Sequence, residues 1–127
     1  SGLTEPTFET DAWMLPFRTP PYNAPLWYFE TLLKHPEFAD LLQERWQHLH
    51  QHVPALRWVL HEFAKTLNDA QQRNFEIWPI LGEKVFTNYV AFDTYDEEVD
   101  YLIDWIDRRD RWIHANVQAL PALGAGR

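Results

Sequence analysis

Prolines divide this chain into segments whose apolar residues recur at helical spacing. Between positions 36 and 49 the apolar side chains stand three or four residues apart: Phe38, Leu41, Leu42, Trp46 and Leu49. Such a stripe is typical of a helix that buries one face. Pro36 and Pro54 each stand where the first turn of a helix tolerates proline, and Pro79 forces a helix to stop. The pattern predicts an all-α fold.

The same reading predicts a small bundle of three to four helices. A short helix begins near Pro25, a second at Pro36, and a third runs from Pro54 to about Trp78. The last helix has its own start signal, because the Thr94 hydroxyl can accept from the amide three residues on while Glu97 reaches back to the Thr94 amide. Its apolar stripe predicts a buried face: Val99, Leu102, Ile103, Ile106, Ile113 and Val117.

The two ends of the chain differ from this helical body. Residues 1–25 hold five of the nine prolines together with several aromatic residues, which predicts an extended arm that packs on a helical domain of residues 26–119. Residues 120–127 predict a flexible tail or linker. Residues 85–92 mix β-branched and aromatic side chains, which suggests a short extended segment. The Ser1-Gly2 start suggests a cleaved tag on an excised fragment.

Charge and composition exclude several classes of function. The net charge is −8, so the chain repels polyanions and a nucleic-acid partner is not expected. A membrane span needs about 20 consecutive apolar residues, and no run approaches that length. Cysteine is absent, which excludes disulfides and thiolate chemistry. Only four glycines occur and Ser1 is the sole serine, so neither a phosphate-binding loop nor a serine nucleophile is encoded. No catalytic residue and no cofactor are predicted for this chain.

Histidines offer one weak metal alternative. His48 and His52 are one helical turn apart and could chelate a metal ion, whereas His50 would point elsewhere. The ordinary explanation is a set of solvated histidines at a helix C-terminus, where positive charge is favoured. No metal site is predicted, and this pair is the alternative.

Acidic side chains crowd the start and middle of the last predicted helix. They could form a divalent-cation or acid–base site, but a calcium loop needs alternating oxygen ligands and a glycine, which are missing here. A solvated ridge is the favoured interpretation for these eight carboxylates: Asp93, Asp96, Glu97, Glu98, Asp100, Asp104, Asp107 and Asp110.

Aromatic residues are the remaining candidates for binding, with seven Trp, five Tyr and eight Phe in the chain. An exposed aromatic platform would stack on a sugar or a protein partner. The alternative is that the rings pack against the arm or a missing domain. Arg73 and Asn74 precede the turn at Pro79 and are expected to hydrogen-bond backbone groups there or to contact a partner. The predicted binding residues are Trp27, Trp46, Arg73, Asn74, Trp78 and Trp105.

Three segments resemble the spore coat protein H family, the CotH kinases. They are residues 27–33 (WYFETLL) continuing to Trp46, residues 73–82 (RNFEIWPILG), and residues 92–102 (FDTYDEEVDYL) continuing to Trp112. They occur in the family's order and cover about residues 26–113. The likeness is to the C-terminal helical region of the family.

The resemblance implies a place in an atypical protein kinase that uses ATP and a divalent metal to phosphorylate proteins. The family's nucleotide lysine and metal-binding aspartates lie upstream of the similar region, so no catalytic residue carries over, and ATP and Mg²⁺ are implied only for a longer family member. The family's range implies a spore coat, cell-surface or secreted location, while the compartment of this chain stays open.

Two functional hypotheses follow. The first is a non-catalytic helical subdomain for scaffolding or substrate docking, whose partner is the rest of its own parent chain. The second is a self-standing carbohydrate- or protein-binding module that uses exposed tryptophans. Exposed aromatics would also permit a homo-oligomer.

Overall fold

The computed structural model describes residues 11, 29, 31–85 and 88–120 of the 127 residues. Four α-helices follow one another in these ranges: α1 (Pro36–His50), α2 (Val53–Thr66), α3 (Asn68–Ile77) and α4 (Tyr95–Asn116). A single 3₁₀ turn, Val117–Ala119, extends α4. No strand occurs in the ranges that the structure describes, so the prediction of an all-α helical domain is confirmed. Apart from Asp11, the predicted arm of residues 1–25 lies outside the described residues, as do residues 121–127.

A short helical turn precedes α1. Phe29, Thr31 and Leu32 are helical, and the carbonyl of Phe29 accepts the Leu33 amide at 2.9 Å. The turn stops before Pro36, which stands in the first turn of α1, where a missing N–H costs no hydrogen bond.

The helix predicted from Pro54 to Trp78 is two helices, because the backbone leaves α-helical geometry at Leu67, although the Leu67 amide still bonds to the Phe63 carbonyl at 2.9 Å. The ψ of Leu67 is −2°, whereas an α-helix has ψ near −42°. The Thr66 hydroxyl donates to the carbonyl of Glu62 at 2.8 Å, a local bond that weakens and bends helices. The predicted stop is confirmed: α3 ends at Ile77, and Trp78 leaves helical geometry (φ −121°, ψ 84°) because the proline that follows disfavours it.

The start of α4 is confirmed in its hydrogen bonds. The Thr94 hydroxyl accepts the Glu97 amide at 3.2 Å, and the Glu97 carboxylate accepts the Thr94 amide at 3.0 Å and its hydroxyl at 2.9 Å. These reciprocal bonds satisfy amides that have no partner inside the helix. Local sequence therefore sets this helix boundary.

The predicted extended segment of residues 85–92 is wrong in the part that is described. Val85 and residues 88–92 form turns and irregular backbone, and positions 86 and 87 lie outside the described residues. The Asn88 amide bonds to the Val85 carbonyl at 3.0 Å, and the Gly82 amide bonds to the Phe92 carbonyl at 2.8 Å. These local bonds use backbone groups that a strand would pair with a neighbour.

The chain divides into two compact units. Unit 1 comprises Ser1–Gln51 and Arg108–Arg127, and unit 2 comprises His52–Asp107. Among the residues that the structure describes, the fully buried hydrophobic ones all belong to unit 1: Leu33, Ala39, Val117 and Leu120. Leu120, the first residue of the predicted tail, thus contributes to this core. In unit 2, no residue at positions 52–85 or 88–107 is fully buried.

Several apolar stripes are less buried than their spacing predicts. In α4, Leu102 is exposed although the stripe predicts it inside, whereas Ile103 and Ile106 are half-buried. In α1, Leu41 and Leu49 are exposed while Phe38 packs against the unit 1 core. None of the described helices is long and apolar enough to cross a bilayer.

Candidate functional site

Unit 1 contains a wholly apolar groove between α1 and the end of α4. Its volume is about 260 Å³. Three side chains of the buried core line the groove: Leu33, Val117 and Leu120. The groove is completed by the helical turn before α1, by α1 and by α4: Phe29, Phe38, Leu42, Trp46 and Ile113. Because no polar side chain lines it, the groove suits apolar contacts and not proton or phosphate chemistry.

Trp46 has a polar atom that this packing leaves unsatisfied. Its indole Nε1 is shielded from solvent and has no hydrogen-bond acceptor among the described residues. A buried donor without an acceptor costs about 1–3 kcal/mol. Trp46 is one of the binding residues predicted from the sequence, and its side chain lines the groove.

A polar aromatic cluster lies beside Trp46 in the same unit. The His50 Nδ1 and the Asp110 Oδ1 are 2.8 Å apart, and the Asp110 side chain is only 12% exposed. The imidazoles of His50 and His114 stack at 3.9 Å, while Trp46 and His50 meet at 6.4 Å. The hydrogen bond to Asp110 orients the His50 ring. His50 and Asp110 are sixty positions apart, and no local motif links them.

Arg109 occupies a partly desolvated position on α4. Burial lowers the pKa of its guanidinium, and the nearby carboxylate of Asp11 opposes that shift. The guanidinium also lies 5.2 Å from the centre of the Trp112 ring, within cation–π range. Asp11 therefore acts electrostatically on α4 within unit 1.

In unit 2, one side of α2 faces α4. Arg57 donates to Asp107 at 2.9 Å. An open, polar depression of about 550 Å³ lies between the same two helices and the start of α3. Its lining mixes both charges with small apolar groups: His61, Ala64, Lys65, Asn68, Asp96, Val99 and Asp100. Lys65 is already paired with Glu62 at 2.7 Å.

A different side of α2 carries an exposed apolar stripe. Leu56, Phe63 and Leu67 are 44%, 60% and 50% exposed. Their spacings of seven and four residues place Leu56 and Phe63 on one face of α2, and Leu67, the residue that caps its C-terminus, continues that face. Ile77 and Trp78, at the end of α3, are also exposed. We call Leu56, Phe63 and Leu67 the α2 stripe.

The other predicted binding residues are scattered. Trp27 lies outside the described residues, Trp78 is exposed, and Trp105 is half-buried. The side chains of Arg73 and Asn74 are exposed. Hydrogen bonding at the turn comes from the backbone of Asn74, whose carbonyl accepts the Trp78 amide at 2.8 Å.

The acidic ridge is not uniformly solvated as predicted. Asp107 and Asp110 are partly buried and are hydrogen-bonded to Arg57 and His50. Glu98 accepts the Phe92 amide at 3.1 Å. These contacts occupy carboxylates that a cation site would need.

Among the described residues, no group of three or more His, Asp or Glu side chains is placed to hold a metal ion. His48 and His52 are both exposed, and the structure brings no third ligand to them within that part of the chain. The histidine alternative therefore gains no support.

Comparison with known proteins extends the likeness seen in the sequence. The model of the CotH kinase protein family matches residues 7–113, a longer stretch than the three segments cover. No curated protein and no solved structure matches the chain. A family match across most of the residues settles the relationship, and the chain therefore belongs to the CotH kinase protein family.

Proposed function

We propose that this chain is a non-catalytic helical subdomain of a CotH-family kinase protein. Its role is to dock on the nucleotide-binding part of such a protein. The α2 stripe carries this proposal, because three large apolar side chains lie exposed on one helix face in a unit without a fully buried described residue. Exposed apolar surface of this kind marks protein interaction sites.

The chemistry of the α2 stripe specifies an apolar partner surface. The two charged residues adjacent to the stripe along the chain are both paired, Arg57 with Asp107 and Glu62 with Lys65. Burying a leucine or phenylalanine contributes about 1.5–3 kcal/mol. Because the three side chains are already about half-buried, each would contribute only part of this value on docking.

The chemistry of this chain is consistent with a docking role that is separate from catalysis. Phosphoryl transfer needs a phosphate cradle, metal ligands and a positioned nucleophile. The four glycines form no phosphate-binding motif, and the described carboxylates Asp107 and Asp110 are hydrogen-bonded to Arg57 and His50. Docking accounts for the exposed apolar residues without requiring any of these groups.

Calorimetry with matched leucine variants tests docking. The titrant is the separately produced nucleotide-binding part of a CotH-family kinase. Leu67→Ser should weaken binding about tenfold or more, since 1.4 kcal/mol corresponds to a tenfold change in Kd. Leu49→Ser is the control, because Leu49 lies in unit 1 and is similarly exposed. Equal affinities for the two variants, or no binding by the native chain, would overturn docking through α2.

A second titration tests the non-catalytic role. ATP·Mg²⁺ added to this chain alone should give no saturable heat, because no phosphate cradle is encoded. Saturable binding would contradict the proposal.

Exposure of Trp78 favours one alternative, a self-standing binding module. The Trp78 side chain is 64% exposed at the end of α3, where a ring could stack on a sugar or a peptide. A panel of glycans is titrated while tryptophan emission is recorded. A saturable shift that Trp78→Ala removes would establish the alternative, and a silent panel would leave docking as the favoured role.

A further inference from the structure

The apolar groove of unit 1 is a second surface that the docking role does not use. Its volume of about 260 Å³ is below the usual range of about 300–1,000 Å³ for ligand pockets. A space of this size and chemistry suits one or two apolar side chains of a polypeptide.

The chain itself holds a segment of suitable chemistry. Between Asp11 and Phe29 lie seventeen residues, 12–28, and the apolar ones among them are Trp13, Met14, Leu15, Phe17, Tyr22, Leu26, Trp27 and Tyr28. Both flanking residues belong to unit 1. Asp11 acts on Arg109 of α4, and Phe29 is part of the groove wall.

Length also permits this segment to reach every part of the groove. Seventeen extended residues span up to roughly 55 Å at about 3.3 Å each. The neighbouring helix α1 has 15 residues and is about 22 Å long at 1.5 Å per residue. No geometric strain is needed for an apolar residue between Asp11 and Phe29 to enter the groove.

We infer that the groove of unit 1 is the docking site of the chain's own segment 12–28, which inserts apolar side chains against Phe38, Leu42 and Trp46. This contact is within one chain and does not depend on the role proposed for α2. It completes the core of unit 1 with residues that are distant in sequence from α4.

Limited trypsin digestion tests the inference, because Arg18 is the sole tryptic site before Lys34. Docking protects the Arg18–Thr19 bond. Leu42→Asp places a charge in the groove, so cleavage after Arg18 should accelerate about tenfold or more, as proteolysis follows the population of the open form. Leu41→Asp is the matched control, since Leu41 is the exposed neighbour that does not line the groove.

The outcomes are distinct. Cleavage of the native chain as fast as that of Leu42→Asp would overturn the inference, and so would equal acceleration by both variants. Circular dichroism checks that each variant keeps the native helix content. A photo-crosslink provides a test that needs no disruptive change.

For the crosslink, the cysteine-free chain allows one labelled position at a time. A benzophenone is attached to Leu42→Cys, with Leu41→Cys as the control, in a mixture of ¹⁵N-labelled and unlabelled protein. An adduct between Leu42→Cys and a peptide from residues 12–28 of the same chain supports the inference. A mixed-isotope adduct would assign the groove to a second copy, and an adduct elsewhere in the chain would also contradict segment docking.

Discussion

Gly82 shows how a single residue constrains the loop before α4. Its φ is +78°, a region that L side chains rarely adopt, and a Cβ built there would lie 2.9 Å from the Asp93 Oδ1. Two costs therefore meet at one position, one conformational and one steric. Its amide also bonds to the Phe92 carbonyl, which ties the loop to the start of α4.

Gly82→Ala should lower the free energy of unfolding by about 1–2 kcal/mol, the usual cost of left-handed backbone for a residue with a Cβ. Urea denaturation followed by circular dichroism measures the change. In the Asp93→Ala background the steric part is relieved, so the loss should be smaller there. An unchanged midpoint for Gly82→Ala in the native background would show that the loop does not hold this conformation.

Among single residues, Leu41 and Leu42 show why exposure does not reveal a role. They are adjacent in α1 and both partly exposed, yet only Leu42 of the two lines the groove. Apolar character is the same at both positions, and the difference comes from the side chains of α4 that lie opposite.

Helix boundaries are set by interactions within a few residues. The Thr94–Glu97 pair begins α4, Pro36 stands in the first turn of α1, and Pro79 prevents α3 from continuing past Trp78. The sequence pattern did not predict the break at Leu67, because the apolar spacing continues from α2 into α3. Periodicity records which face is apolar, but it does not record a change in backbone angle.

Thr94→Ala should destabilise the fold by about 1 kcal/mol, because it removes the acceptor for the Glu97 amide. Thermal melting monitored at a helical wavelength checks this value, and Thr94→Ser should restore most of the loss. Thr66→Ala is the control: its hydroxyl bonds backwards within α2, so the change should be neutral or slightly stabilising. Equal losses at both threonines would argue against the capping role.

At the scale of the whole molecule, burial is unequal between the two units. Leu33, Val117 and Leu120 form a cluster in unit 1, while the described apolar residues of unit 2 stay partly accessible. A segment with few buried apolar contacts opens more readily. This low burial in unit 2 is the physical basis of the docking proposal.

Leu33→Ala should cost about 2–5 kcal/mol, the range for a buried leucine, whereas Leu56→Ala should cost well under that because its side chain is already exposed. Chemical denaturation measures both. Hydrogen exchange should be slowest in α1 and in the last turns of α4. Slowest exchange in α2 and α3 instead would contradict the assignment of the stable core to unit 1.

The spacing of residues along the sequence could not predict much of the candidate site. The His50–Asp110 pair joins residues sixty positions apart. Asp107 and Asp110 are paired in the structure, and the acidic run of the sequence does not distinguish them from the exposed carboxylates. The α2 stripe was recognisable as apolar, but its exposure was not. Trp46 was predicted as a binding residue, and its place in the groove depends on side chains of α4 such as Ile113.

The order of residues alone establishes the helical class, most helix ends and membership in the CotH kinase protein family. The helix ends can be predicted because they depend on interactions between residues close in sequence. Hydrogen bonds at helix starts and the backbone limits of proline act over one turn, so they are legible along the chain. Burial and ion pairing depend on which distant side chain arrives opposite. For that reason the apolar groove, the exposed face of α2 and the His50–Asp110 contact emerged from the folded arrangement.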